Sequence, residues 1–272
     1  MTYYVFNPLA KNNTGHLITE EFQLANLYDC TDHSSMLELE KKLKQDDIIY
    51  LIGGDGTVHY LLNNYNYLFN YELRFYKNGS GNDFYRSLNT KENYYYTINN
   101  QYHFINSFGL GFDALVCQKV NQETKKTKLS YIKQCYLTLK EYQPYSLTIT
   151  YNNEKHQYHN VWLCSLQNGA YFGGGIKIAR NAKTNYPNPQ LCIAHSLNRF
   201  TVLILLVFVK LGLTHLFKKY FFTSEIANME IENTTTRLAQ FDGDVISLDN
   251  NIKLTANNLI TIEKVNSLKT PQ

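Results

Sequence analysis

The 272-residue chain lacks the spacings that usually declare a metal or redox protein. Its five cysteines, Cys30, Cys117, Cys135, Cys164 and Cys192, are odd in number, and no two lie closer than 18 residues. That excludes a CxxC zinc ribbon or redox motif and fits a reduced, cytosolic setting. The eight histidines form no His-x-His or His-Glu-x-x-His set, so they do not read as a metal centre. An excess of one charge is missing too. The 26 Lys and Arg against 23 Asp and Glu leave a net charge of +3, too weak a bias for nucleic-acid binding. No apolar run reaches the roughly 20 residues of a bilayer crossing. The longest, residues 200–209, meets Lys210 after ten residues and reads as a buried or partly interfacial helix. The chain start has no basic region and no long apolar stretch, and it reaches Asn7-Pro8 at once, unlike a signal peptide.

What is present suffices for a large core. Apolar residues make up 44% and charged residues 18%, which excludes disorder over the whole length. Tyr supplies 23 residues, a type suited to strands and half-wet surfaces. Residues 3–6 read as a buried strand ended by Asn7-Pro8. Met36, Leu39 and Leu43 mark an amphipathic helix that Asp32 or Ser34 can cap. Residues 47–52 form a continuous apolar strand of the parallel-sheet kind, followed by a glycine-rich turn and a helix over 58–65. Strand, helix, strand, helix implies a parallel α/β domain over residues 1–92. From residue 93 to 272 the texture changes to alternating strands over 93–98, 102–105, 146–151, 161–166, 238–248 and 252–262, with helices near 113–120, 129–141 and 200–219. This second domain reads as an antiparallel, sandwich-like β domain.

Three loops follow strands of the first domain. Gly53-Gly54-Asp55-Gly56-Thr57 lets backbone N–H groups approach a phosphate, and the helix behind it adds a favourable dipole. Asp55 sits where a divalent ion or a phosphate-bound water can be held, and Thr57 offers a hydroxyl. The same residues also read as a plain βα turn with Asp as a helix cap. Asn78 to Phe84 holds two glycines, Ser80 and the Asn82-Asp83 pair, and the third loop opens with Asn7-Pro8. Open α/β sheets bind nucleotides at the carboxyl ends of their strands, so the three can face one crevice.

These motifs, in this order, resemble the diacylglycerol kinase catalytic-domain family, in particular the soluble bacterial lipid kinases. The resemblance rests on Asn7-Pro8, Gly53 to Thr57, and Gly79-Ser80-Gly81-Asn82-Asp83-Phe84 with Arg86-Ser87-Leu88. It continues through Gly109-Leu110-Gly111-Phe112-Asp113-Ala114, Asn168 to Gly175, and Asp242-Gly243-Asp244. It implies an NAD kinase/diacylglycerol kinase-like fold and ATP-dependent, Mg²⁺-dependent phosphoryl transfer to a lipid hydroxyl such as that of diacylglycerol, with ATP and Mg²⁺ between the domains. By the same resemblance Asp55 holds the metal and Asp244 is the general base. Asn7, Pro8, Thr31, Gly53, Gly54, Gly56, Thr57, Ser80 and Gly81 line the nucleotide, supported by Asn82 and Asp83.

The departures are specific. Asp244 replaces a Glu and is one methylene shorter, and Asp242-Gly243 also reads as a hairpin turn. Asn188 stands where characterised members have a carboxylate for a structural metal, which predicts a lost or weak second site. Val58-His59 replaces the usual continuation with a Glu, and Leu9 to Asn12 lacks the glycines of the first loop. A catalytically weakened nucleotide- or lipid-binding homologue, and an NAD kinase-like enzyme for a small molecule, are the competing readings. The expected partner is a lipid acceptor at a membrane surface met peripherally from the cytoplasm, with no nucleic acid. Oligomeric state is left open, a homodimer included. Lys125 to Lys128 reads as a solvated turn that can also attract anionic headgroups.

Overall fold

The computed structural model describes residues 1–10, 15, 24–79, 82–123, 128–232, 236–249 and 251–268, with backbone alone for 128–132, 210 and 215. The first lobe runs β1 (Thr2–Phe6), β2 (Leu27–Asp29), α1 (His33–Lys42), β3 (Ile48–Gly53), α2 (Asp55–Asn64), β4 (Glu72–Lys77) and α3 (Asp83–Ser87). The second lobe opens with β5 (Glu92–Ile98), β6 (Tyr102–Phe104), β7 (Ser107–Gly111), α4 (Phe112–Asn121), α5 (Lys128–Glu141), β8 (Tyr145–Tyr151), β9 (Glu154–Val161) and β10 (Leu163–Gln167). It ends with β11 (Tyr171–Phe172), β12 (Ile176–Lys177), β13 (Gln190–Ala194), α6 (Arg199–Lys210), β14 (Phe221–Glu225), β15 (Met229–Glu232), β16 (Arg237–Phe241), β17 (Asp244–Leu248) and β18 (Ile252–Val265).

In the first lobe β2-β1-β3-β4 pair side by side and parallel, as the alternation of elements requires. Phe6 sits opposite both Asp29 and Ile52, and Gly53 opposite Lys77. All four carboxyl ends therefore finish at one level, and the loops after them share one edge. Asp32 caps α1 by accepting the Ser34 N–H, while Met36 and Leu39 are buried and Leu43 packs against the same core. Helix α2 starts at Asp55, three residues before the apolar pattern suggests, because the glycine turn itself supplies its first turn.

The second lobe stacks two sheets. The antiparallel sheet β14-β13-β10-β7-β16-β17 faces strands β5, β6, β8 and β15, and Tyr96, Phe104, Phe108, Leu166, Ile193 and Ile231 fill the space between. Helices α4, α5 and α6 cover its other side. Strand β13 is buried on both faces, with Leu191 and Ile193 inward and Cys192 and Ala194 under the helices. Asn99-Asn100 and Asn152-Asn153 turn their hairpins with positive φ, which Asn tolerates. The segment read as one strand over 161–166 is broken at Trp162, and that over 238–248 folds back at Asp242-Gly243.

Strand β18 belongs to both lobes. Its start pairs antiparallel with β15 and β5, and its end, Ile262 to Val265, pairs parallel with β4. A division of the chain at residues 92 and 93 is thus crossed by the last strand, which completes the first lobe's sheet. No helix among the described residues is long and apolar enough to cross a membrane.

Candidate active site

The three sequence-predicted loops meet. The Asn7 side chain donates to Thr57 Oγ1 at 3.1 Å, joining the loop after β1 to the one after β3. Accepting that bond leaves the Thr57 hydroxyl its own hydrogen to donate. Asn7 Oδ1 also accepts the Leu9 N–H. The loop after β1 closes where the Gly15 N–H donates to the Pro8 carbonyl at 3.1 Å. A Cβ at Gly15 would lie 2.0 Å from the Asn7 carbonyl oxygen, so a glycine five residues after Ala10 allows a close approach to this loop. Gly54 and Gly79 bring the other two loops into backbone contact. A Cβ on Gly79 would fall 2.3 Å from the Gly54 Cα. Ser80 and Gly81 lie outside the described residues.

Asp55 is where the structure departs from the expected cap. Its carboxylate caps α3 rather than its own helix, accepting the N–H groups of Asp83, Phe84 (3.1 Å) and Tyr85 (3.4 Å). Burial pushes its carboxyl up, the Phe84 N–H pulls it down and the charge of Asp83 pushes it up again, to about 7. Asn82 holds a left-handed conformation with φ 60, and its amide donates to the Gly79 carbonyl at 2.7 Å. Its Oδ1 is buried, with no hydrogen-bond partner among the described residues. Asp83, also buried, takes Arg86 at 3.3 Å and the Gly174 N–H at 2.7 Å. The Gly173-Gly174-Gly175 turn thus reaches from the β11–β12 hairpin to Asp83 at the start of α3. Thr31 stands on the same edge beyond β2, exposed, with its N–H and hydroxyl on Asp29 Oδ1, both at 2.7 Å. Gly56 faces open space.

The second lobe enters through the turn between β16 and β17. Asp242 has φ 51 and Gly243 φ 100, so the turn reading of this motif holds. The Asp242 carboxylate is buried and accepts the N–H groups of Ile105, Asn106 and Ser107 at 2.7, 2.8 and 2.8 Å. It also meets His59 Nδ1 at 3.0 Å. His59 Nε2 lies 3.5 Å from Asp244 Oδ2, whose side chain is 74% exposed. His59 follows Asp55 by about one turn of α2, about 6 Å along the axis, so the later aspartate reaches the helix that starts at the glycine-rich cradle. By sequence His59 marked only a departure from a motif. Its partner stands 183 residues away, a separation no local pattern signals.

Among the described residues no three His, Cys, Asp or Glu side chains gather as a metal cluster. Hard oxygen at the edge comes from Asp55 and from Asn82 Oδ1. Asn188 spends its amide on Glu225 at 3.1 Å. Lys125 to Thr127 lie outside the described residues.

Comparison with known proteins gives the family and the fold. The model of the diacylglycerol kinase catalytic domain matches residues 6–103, and that of the YegS C-terminal NAD kinase beta sandwich-like domain matches residues 106–252. The chain is 23% identical over 258 residues to the protein named "Putative lipid kinase YtlR" of Bacillus subtilis (strain 168), covering 76% of this chain and 82% of that one. Two solved structures from Bacillus anthracis str. Sterne, each named a "putative diacylglycerol kinase", share the fold. One superposes with TM-score 0.72 at 20% identity, covering 96% of this chain and 92% of that one. The other has TM-score 0.68 at 18% identity, covering 98% and 97%. With motifs, loop convergence and two matched domains in agreement, the chain belongs to the diacylglycerol kinase catalytic-domain family and carries that family's YegS-type β-sandwich-like domain.

Proposed function

We propose that this protein is an ATP-dependent lipid kinase that passes the γ-phosphoryl group to the hydroxyl of a diacylglycerol-like acceptor. The observation that carries the reading is the meeting of three first-lobe loops with the Asp242–Asp244 hairpin through His59. Phosphoryl transfer asks mainly for positioning and charge neutralisation. The N-terminus of α2 and the glycine backbone would bind the phosphates, with Asn7, Pro8 and Thr31 along the same edge. Magnesium suits the donors present, since it takes one or two carboxylates and completes its shell with phosphate and water oxygens. Asp55 and Asn82 Oδ1 would hold it. When bound, it supplies charge screening of the transferring group.

Asp244 would accept the proton of the acceptor hydroxyl. Its exposure leaves it open to a second substrate, and the His59 contact fixes its approach despite the shorter side chain. The test is transfer of radiolabelled phosphate from ATP to lipid in mixed micelles with Mg²⁺. Asp244→Asn should lower turnover by about 10²–10⁴-fold and leave nucleotide binding intact; full activity in that variant would remove the base assignment. A second reading, a homologue that binds nucleotide or lipid with little turnover, is favoured by Asp55 already accepting three backbone N–H groups. ATP binding with no transfer to any acceptor would select it.

A further inference from the structure

Helix α6 is apolar on two faces, and among the described residues only one of them is covered. Val202, Leu205 and Val209 are buried against the helical layer and β13. On the other side Phe200 is 71% exposed, Leu203 41% and Val207 56%. Their spacing of three and four residues makes one stripe. The stripe continues through Leu211 at 62% and Leu216 at 61%. Phe217 packs on Phe208 with ring centroids 4.7 Å apart, which pins the 3-10 turn Thr214–Phe217 against the helix and holds Leu216 in line. A monomer rarely leaves so continuous an apolar strip in water. With 12 residues, α6 spans about 18 Å, short of the roughly 30 Å of a hydrocarbon core.

Charge selects what covers it. Residues 155–224 contain no Asp or Glu and eight Lys or Arg, although the chain as a whole carries only +3. Lys218 and Lys219 stand exposed just beyond Leu216 and Phe217. A second copy would bring the same cationic surface to a two-fold contact and be repelled. An anionic bilayer takes both features: apolar side chains enter the acyl boundary while the lysines meet headgroups. The opposite, buried side of the helix lies near the site. Helix α6 contacts β12. The hairpin of β11 and β12 carries Gly174, whose N–H holds Asp83 beside Asp55.

We propose that the exposed stripe of α6, flanked by Lys218 and Lys219, is the docking surface of this protein on anionic membranes. It deepens the lipid-kinase reading, and rests on it, by assigning the side from which the bilayer delivers the acceptor. The test is sedimentation of the full chain with vesicles of phosphatidylcholine alone and of phosphatidylcholine with phosphatidylglycerol. Binding should need phosphatidylglycerol, weaken with salt, and fall at least about tenfold in Phe200→Ser/Val207→Ser and in Lys218→Glu/Lys219→Glu. Transfer to a short-chain, water-soluble diacylglycerol should be unchanged in both variants, while turnover on vesicles drops with binding. Retained vesicle binding by the variants, or a dimer in solution that the apolar pair of substitutions dissolves, would overturn the proposal. Vesicle binding without transfer to any lipid would leave the docking surface standing and remove the kinase reading instead.

Discussion

Burial draws the His59 imidazolium toward its neutral form, but the hydrogen bond and charge of Asp242, joined by the charge of Asp244, outweigh it and raise its pKa above the ordinary 6.5. Asp55 and Asp113 rise because burial disfavours a carboxylate, each to about 7. Asp113 is only partly relieved by the Ala114 N–H and by Gln240 at 3.3 Å, and its Oδ1 has no hydrogen-bond partner among the described residues. All three groups bind their proton more tightly folded than unfolded. Each contributes stability that is present below its unfolded pKa and lost as pH climbs through the folded value. The loss runs from about pH 4 to 7 for the two aspartates and continues above 6.5 for His59. Thermal unfolding followed by circular dichroism should therefore give a lower midpoint at pH 8 than at pH 5.5. Asp113→Asn should flatten that slope and raise the midpoint at pH 8. A midpoint that rises between pH 5.5 and 8 in the native chain would show that other groups dominate.

At the scale of loops and strands, the contact between Gly54 and Gly79 sets how closely the two glycine-rich turns approach. Gly79→Ala would put a Cβ into the Gly54 backbone and push the turns apart. It should weaken nucleotide binding by about tenfold or more, since a 1 Å misplacement can cost about 10²-fold. Calorimetric titration with ATP and Mg²⁺ reads the effect, and unchanged affinity would separate the turns from the nucleotide. The turns themselves were legible in the sequence, because glycines, Asn7-Pro8 and the Asp-Gly pair impose local backbone geometry. So were β1, β3, α1 and the Asn-Asn hairpins. Strand β13 was not, since burial on both faces erases the alternation. Helix α3 has five residues, too few to show a period, and its start is set by Asp55 from another loop. The His59 contacts and the crossing of β18 depend on pairings far apart in the chain, and nothing local to them announces a partner.

For the whole molecule, β18 decides how the lobes hold together. Ile262 is fully buried in the first lobe's core although it follows the sandwich in sequence. Ile262→Ala should cost about 2–5 kcal/mol and destabilise both lobes in one step. The single tryptophan, Trp162, lies under the helical layer of the second lobe and reports that lobe alone, while far-ultraviolet circular dichroism reports both. Coincident urea transitions by the two signals, shifted together by the substitution, are expected. Two separated transitions would mean that the lobes melt independently. The same strand has a consequence during synthesis. On its side away from β3, Leu73 finds its neighbour at Ile262, so that edge of β4 leaves the ribosome open and stays so until β18 has emerged. The first lobe's strands β1 to β4 are translated before the sandwich, yet their sheet is finished only after it, and in that interval the open edge is where a chaperone is most needed.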